Sequence, residues 1–315
     1  MKFYINHTPL KSEFEINHSH KIMLIGSCFA ENIGDLLQEH RFKSETNPFG
    51  ILFNPLSICN NLMDCIKQNP FNTNYILEKG GEYFSFLHHS SVNASSKEKL
   101  IEKINQTNQS TFNFIKDCDY LLITFGTAYY FKHIALDACV ANCHKQAGND
   151  FEKKLLSVNE ITERCAKFIK ELQKINPKLK IIFTVSPVKY LKDGLIENNL
   201  SKATLLLSIN ELTKKNKHCF YFPAYELVTD DLRDYRFYKE DLAHPNEQAI
   251  KYIWDKFSET YFSEKTKLLN EKINKLNLAL NHKMLHNNAE ENLKFQLHVA
   301  ELSKQIKDIE PEIDL

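Results

Sequence analysis

The chain has no excess of either charge: Lys and Arg total 40, and so do Asp and Glu. That balance excludes the basic field that holds nucleic acid, and no acidic tail is present. Long hydrophobic runs are also missing. No apolar stretch approaches the roughly 18 residues of a membrane-crossing helix, so no membrane span is expected. The opening segment, Met1-Lys2-Phe3-Tyr4-Ile5-Asn6-His7, lacks the apolar region and small-residue cleavage site of a secretion signal, and a cytoplasmic location is expected. Paired cysteine spacings are lacking as well. The eight cysteines are scattered, which implies reduced thiols rather than a disulfide framework. Cys139-x3-Cys143-His144 has no second Cys/His pair at zinc-finger spacing, so neither a metal nor any other cofactor is expected. No internal repeat is evident.

What is present is enough chain, 315 residues, for a sizeable core. Four short apolar runs read as buried strands: Ile22–Ile25, Tyr120–Phe125, Ile181–Val185 and Cys219–Phe222. Helical patterns separate them, most clearly Asn159–Ile175, with Ile161, Cys165, Phe168, Ile169 and Leu172 on one face. A further strand near Phe42–Glu45 completes five. Strands alternating with helices predict an α/β protein, a three-layer α/β/α sandwich with a five-stranded, mostly parallel, flavodoxin-like sheet. Two insertions interrupt that frame. Residues 71–117 are polar, with a helix around Lys97–Ile104; residues 128–150 suit a hairpin over the site. The main domain is expected to span 1–262. A Lys-, Asn-, Glu- and Leu-rich helical extension follows over 263–315, with a stripe from Leu268 through Ile273, Leu276, Leu278, Leu285, Leu293 and Leu297 to Ile306. Such a stripe packs on the domain or on a second copy of the chain, giving a homo-oligomer.

Two segments carry chemistry. In Ile25-Gly26-Ser27-Cys28-Phe29-Ala30 a strand breaks at Gly-Ser and a helix begins, with Phe29, Ile33, Leu36 and Leu37 at helical spacing. A hydroxyl there stands among helix-terminal N–H groups that favour negative charge, a good place for a nucleophile whose product is an oxyanion. Ser27 equally suits a plain helix N-cap. In Asp241-Leu242-Ala243-His244-Pro245, Pro245 fits the first helical position and Asp241 can fold back onto one ring nitrogen of His244. The other nitrogen is then free to act as a base toward a hydroxyl. Ser27 follows the first strand and Asp241 and His244 follow the last, so both segments reach the crevice beyond the strands' carboxyl ends.

These residues, with Asn47-Pro48-Phe49-Gly50, Thr124-Phe125-Gly126-Thr127-Ala128, Asn142-Cys143-His144-Lys145, Thr184-Val185-Ser186-Pro187-Val188 and Asp234-Tyr235-Arg236-Phe237-Tyr238, run in order from about residue 20 to 260. The ordered set resembles the GSCFA domain family, a branch of the SGNH/GDSL hydrolases. The resemblance implies a serine hydrolase that cleaves an ester or related acyl bond on a small molecule or carbohydrate through an acyl-enzyme. Ser27 then matches the nucleophile, His244 the base and Asp241 the residue that orients it. Gly50 matches the glycine whose N–H joins that of Ser27 at the oxyanion. Ala128 stands where many of these enzymes carry an oxyanion-binding Asn. Thr127, Asn142 or a backbone amide beside Gly126 are the candidates to replace it.

Other residues keep two readings. Asn142 and His144 either hold substrate or stabilise the hairpin. Arg236 either binds a substrate anion or pairs with Asp234 or Asp241. His88-His89 suit a solvated or site-rim loop, Ser186 terminates its strand, and Cys28 is expected to point into the core. Because of Ala128, a catalytically weak ligand-binding module on the same fold stands as the alternative, as does an assembly protein acting through its tail.

Overall fold

The computed structural model describes His7, residues 9–281 and residues 289–315; Met1–Asn6 of the opening segment and Leu285 of the tail stripe lie outside the described residues. Five strands form the central sheet: β1 (Lys21–Gly26), β2 (Lys43–Thr46), β3 (Tyr120–Phe125), β4 (Lys180–Val185) and β5 (Cys219–Tyr221). All pair in parallel, in the order β2-β1-β3-β4-β5. Eight main helices surround them among the described residues: α1 (Cys28–Glu39), α2 (Pro55–Lys67), α3 (Lys97–Asp117), α4 (Val158–Ile175), α5 (Leu195–Lys215), α6 (Glu247–Tyr261), α7 (Glu264–Asn281) and α8 (Ala289–Ile309).

Alternation along the inner strands builds a core on each face. Met23, Ile25, Leu121, Ile123, Phe125, Ile181, Phe183 and Val185 pack against α2, α4 and α5. Ile22, Leu24, Tyr120, Leu122 and Ile182 pack against α1 and α6. A strand buried on both faces reads as one continuous apolar run, so these strands were visible from sequence. The edge strand β2 is only half-buried and lies one residue later than expected.

The insertions are more ordered than their composition suggests. Ile76–Lys79, Glu82–Ser85 and Asn93–Ala94 form a small antiparallel sheet over Val92, Leu100 and Ile104. Helix α3 runs well past Ile104, to Asp117, and carries Ile115 into the main core, so it belongs to the frame. The expected hairpin has a third strand: Tyr129–His133 pairs with both Ala138–Val140 and Phe151–Leu155. Its backbone is tied to Phe86 through the N–H groups of Ala141 and Asn142, not to Ser27 or His244.

Helices α7 and α8 pair through Leu269, Ile273, Leu276, Leu302 and Ile306. The expected stripe is therefore only partly internal, since Leu268, Leu278, Leu293 and Leu297 are exposed. Asn277 ties α7 to the main body by donating to the carbonyl of Glu39 and accepting from Arg41. No helix among the described residues is long and apolar enough to cross a membrane.

Candidate active site

Chain connections leave β1 toward β2 on one side and β3 on the other, so the crevice between β1 and β3 is the topological switch point. Ser27 sits at its mouth. Gly26 at the end of β1 has φ +146°, and a Cβ there would lie 2.1 Å from the Thr124 carbonyl oxygen of β3. Only glycine fits that approach. Its N–H donates to Asn47 Oδ1 at 2.8 Å, so the chain leaving β2 fixes the same turn. Ser27 caps α1, its Oγ accepting the N–H of Phe29 at 3.3 Å, and it is 1 % exposed. The cap geometry is real, and it also aims a hydroxyl at the positive end of a helix. Directly after β3, Gly126 packs against this turn: a Cβ there would be 3.4 Å from Ser27 Cβ and 2.7 Å from Tyr190 Oη.

The second segment is an arm between β5 and α6. Asp241 Oδ1 accepts the N–H groups of Ala243 and His244, each at 2.9 Å, while Oδ2 lies 2.6 Å from His244 Nδ1. These interactions, the backbone donors first and the imidazole next, hold the Asp241 carboxyl down at about 2. An ionised Asp241 fixes the Nδ1–H tautomer of His244 and leaves Nε2 as the acceptor nitrogen of the ring. Leu242, between them, has φ +57°, a left-handed conformation unfavourable for leucine. The arm is pinned by Lys239 N–H to His244 O at 2.7 Å and by Lys189 N–H to Ala243 O at 3.1 Å. Pro245 lies before the helix rather than at its first position, because Asn246 is the N-cap of α6 and accepts from Ala249. No hydrogen bond joins Ser27 to His244 among the described residues.

Several expected roles change. Ser27 N–H donates to Thr124 O at 3.2 Å, and Gly50 N–H to Asn47 O at 2.8 Å, so both anticipated oxyanion donors already have acceptors. Gly126 and Thr127 both donate to Phe53 O, at 2.8 and 3.0 Å, and Thr127 Oγ1 bonds Ser201 Oγ. Asn142 and His144 lie at the junction of the two insertions. Asn142 Oδ1 accepts from His144 N–H, while His144 Nε2 meets Ser85 O at 2.8 Å. Arg236 pairs with Asp234 at 2.9 Å on an exposed surface. His88 is buried rather than solvated and bonds Ser85 Oγ; burial pushes it down to about 4. His89 stands at the rim, where a Cβ on Gly50 would lie 2.5 Å from the His89 Cβ. Cys28 is half-buried instead of a core residue; burial and then the Glu31 carboxylate push its thiol up, away from thiolate chemistry. Ser186 ends β4 as expected, its Oγ accepting from Val188.

Sequence reasoning missed one face of α5. Asn198 accepts from Tyr190 N–H, Ser201 bonds Thr127 and Ala128 N–H, and Lys202 Nζ donates to Gly126 O and Ser186 O. These residues share the buried side of α5 with Leu205, Ile209 and Leu212. The available signal was a lysine in register with an apolar stripe. Asn47 was also missed: its Nδ2 is buried and has no hydrogen-bond partner among the described residues.

A parallel sheet in this order, with a capped serine at the switch point and a bonded Asp–His pair on the arm before α6, defines a three-layer α/β protein of flavodoxin-like topology. A family model described as the GSCFA family matches residues 21–257, and the chain belongs to that family. No curated protein matches it. It is similar to an acetyl xylan esterase from the rumen bacterium Butyrivibrio proteoclasticus, at 11 % identity and TM-score 0.40 over 77 % of this chain and 65 % of that one. A carbohydrate esterase of family 3 from Talaromyces cellulolyticus matches at 8 % identity and TM-score 0.37, covering 81 % of this chain and 99 % of that one. A family 2 carbohydrate esterase with a carbohydrate-binding domain, from Corynascus thermopiles (Myceliophthora fergusii), matches at 15 % identity and TM-score 0.29. There 45 % of this chain spans only about a third of the other, 36 %.

Proposed function

We propose that the protein is a serine hydrolase that cleaves an acyl ester on a small molecule or carbohydrate. The observation that carries this reading is the 2.6 Å Asp241–His244 pair, on an arm tied through Lys189 to the loop beyond β4, at the carboxyl end of the strands where Ser27 caps α1. His244 Nε2 takes the Ser27 Oγ proton as Oγ attacks the acyl carbonyl. The tetrahedral adduct collapses, the alcohol leaves with the proton from His244, and water repeats the sequence on the acyl-enzyme. Hydrogen bonds of this kind are often long or poorly aligned before substrate binds.

The oxyanion needs donors beyond those expected. The N-terminus of α1 supplies dipole, and the spare Nδ2 of Asn47 supplies the side-chain donor that Ala128 lacks, with its Oδ1 anchored by Gly26. A recess of 170 Å³ beside the arm, lined by Lys189, Arg233, Tyr235 and Tyr238 among others, suits the alcohol portion. A reducing, cytoplasmic setting is part of the same proposal, from the scattered cysteine spacing.

A second reading, a binding module without turnover, is favoured by the prior use of the Ser27 and Gly50 N–H groups. A panel of short acyl esters and acetylated sugars separates the two. Turnover that Ser27→Ala abolishes and His244→Ala lowers by about 10³-fold or more supports the hydrolase; binding without turnover across the panel supports the module.

A further inference from the structure

Lys202 is 1 % exposed, yet it has no carboxylate partner among the described residues. An ammonium removed from water without a counter-ion is costly, and folding tolerates it only where its donors are well used. Here Nζ donates to two carbonyl oxygens, Gly126 at 2.7 Å and Ser186 at 2.6 Å, the residues that immediately follow β3 and β4. Gly126 is the residue whose α-carbon packs against Ser27. The remaining charged or titratable neighbours are the Cys28 thiol on α1 and the rings of Tyr190 and Tyr225, whose centroids lie 5.5 and 5.8 Å from Nζ. A buried cation therefore stands behind the floor of the serine turn, joining the two segments just past the last bond of the β3–β4 ladder, Ser186 N–H to Phe125 O at 2.8 Å.

We propose that Lys202 is a positioning residue for the Ser27 reaction: its ammonium clamps the loops after β3 and β4 and keeps a positive potential behind the oxyanion. This rests on the hydrolase reading above. The charge matters as well as the bonds, because a neutral amine or amide could still donate to both carbonyls but would leave the developing anion unopposed. Burial pushes the ammonium down to about 7, against a smaller opposing influence from Cys28, so the charge is lost within an accessible pH range. Sign follows directly: the protonated form is the competent one, so reactivity falls as pH rises through that value.

The test is the rate of Ser27 modification by a fluorophosphonate across pH in wild type, Lys202→Gln and Lys202→Met, with thermal unfolding of each. Wild type is expected to lose reactivity on the alkaline side of about pH 7. Lys202→Gln, which keeps donors without charge, is expected to lose that alkaline limb, and Lys202→Met to react about 10²-fold more slowly than wild type. A wild type with Ser27-dependent labelling but no alkaline limb overturns the proposal without any variant having to fold. So does a folded Lys202→Gln with the wild-type rate and profile. Failure of wild type to label at Ser27 at any pH overturns the hydrolase reading itself.

Discussion

Ser27 is held from inside and His244 from outside. Ser27 is 1 % exposed, and its turn is locked by the Gly26–Thr124 approach, by Asn47 Oδ1 and by Gly126 packed against it. The side chains of Asp241 and His244 are 49 % and 45 % exposed, on a short arm shaped mainly by Asp241's own hydrogen bonds. A group built into a parallel sheet shares the stability of the whole core, whereas a group on an exposed arm is set by a few local bonds. On the proposed mechanism the sheet side fixes where Ser27 stands, and the arm side fixes the orientation of His244. Substitutions should separate accordingly, into those that cost the fold and those that cost only the rate.

The largest expected effect lies on the sheet side. Gly26→Ala drives a Cβ into the Thr124 carbonyl and should cost about 4 kcal/mol or more, read as insoluble protein or a collapsed urea midpoint. Near-wild-type stability in that variant would break the contrast at once. On the arm, His244→Ala should lower ester turnover by about 10³-fold or more while leaving the thermal midpoint in place. A fall in both would mean that the arm supports the core. Asn47→Asp keeps the acceptor for Gly26 N–H and removes the spare donor, so turnover should fall about 10²-fold while the fold survives. Unchanged turnover would remove Asn47 from the oxyanion site.

Acid titration sharpens the arm side further. Asp241 is held down at about 2, below its ordinary 3.8, so its contribution to arm structure is full above the ordinary value and is lost as pH falls through about 2. The Asp241 side-chain carboxyl signal in NMR should therefore keep its ionised position at pH 3 and shift only below it. A shift centred near 4 would show that the Asp241 bonds are not held in solution. The smallest effect belongs to Arg236→Ala, an exposed pair with Asp234, which should change stability by less than about 1 kcal/mol.

Much of the frame was legible because its signals are strong and local. The runs in β1, β3 and β4 are buried on both faces, and Ser157 with Glu160 forms a capping box at the start of α4. Helix α3 was cut short because its buried face carries Thr111 between Ile104 and Ile115, so the apolar rhythm lapses in mid-helix. In the site, the D-x-x-H geometry could be read because Asp241 and His244 bond within one turn of chain. Lys202 could not, since a lysine in a helix reads as solvated until Gly126 and Ser186 are brought to it from two other elements. The acceptors of the Gly50 and Ser27 N–H groups were illegible for a similar reason: sequence gives the position of a backbone N–H but not its partner, here Asn47 O and Thr124 O.

The central claim is that Ser27 is a nucleophile driven by His244. Its most direct test is intact-mass analysis after fluorophosphonate treatment, with the modified peptide mapped. One adduct on Ser27, absent from Ser27→Ala and slowed in His244→Ala, is the predicted result. No adduct in wild type, or an adduct that persists unchanged in Ser27→Ala, would contradict it.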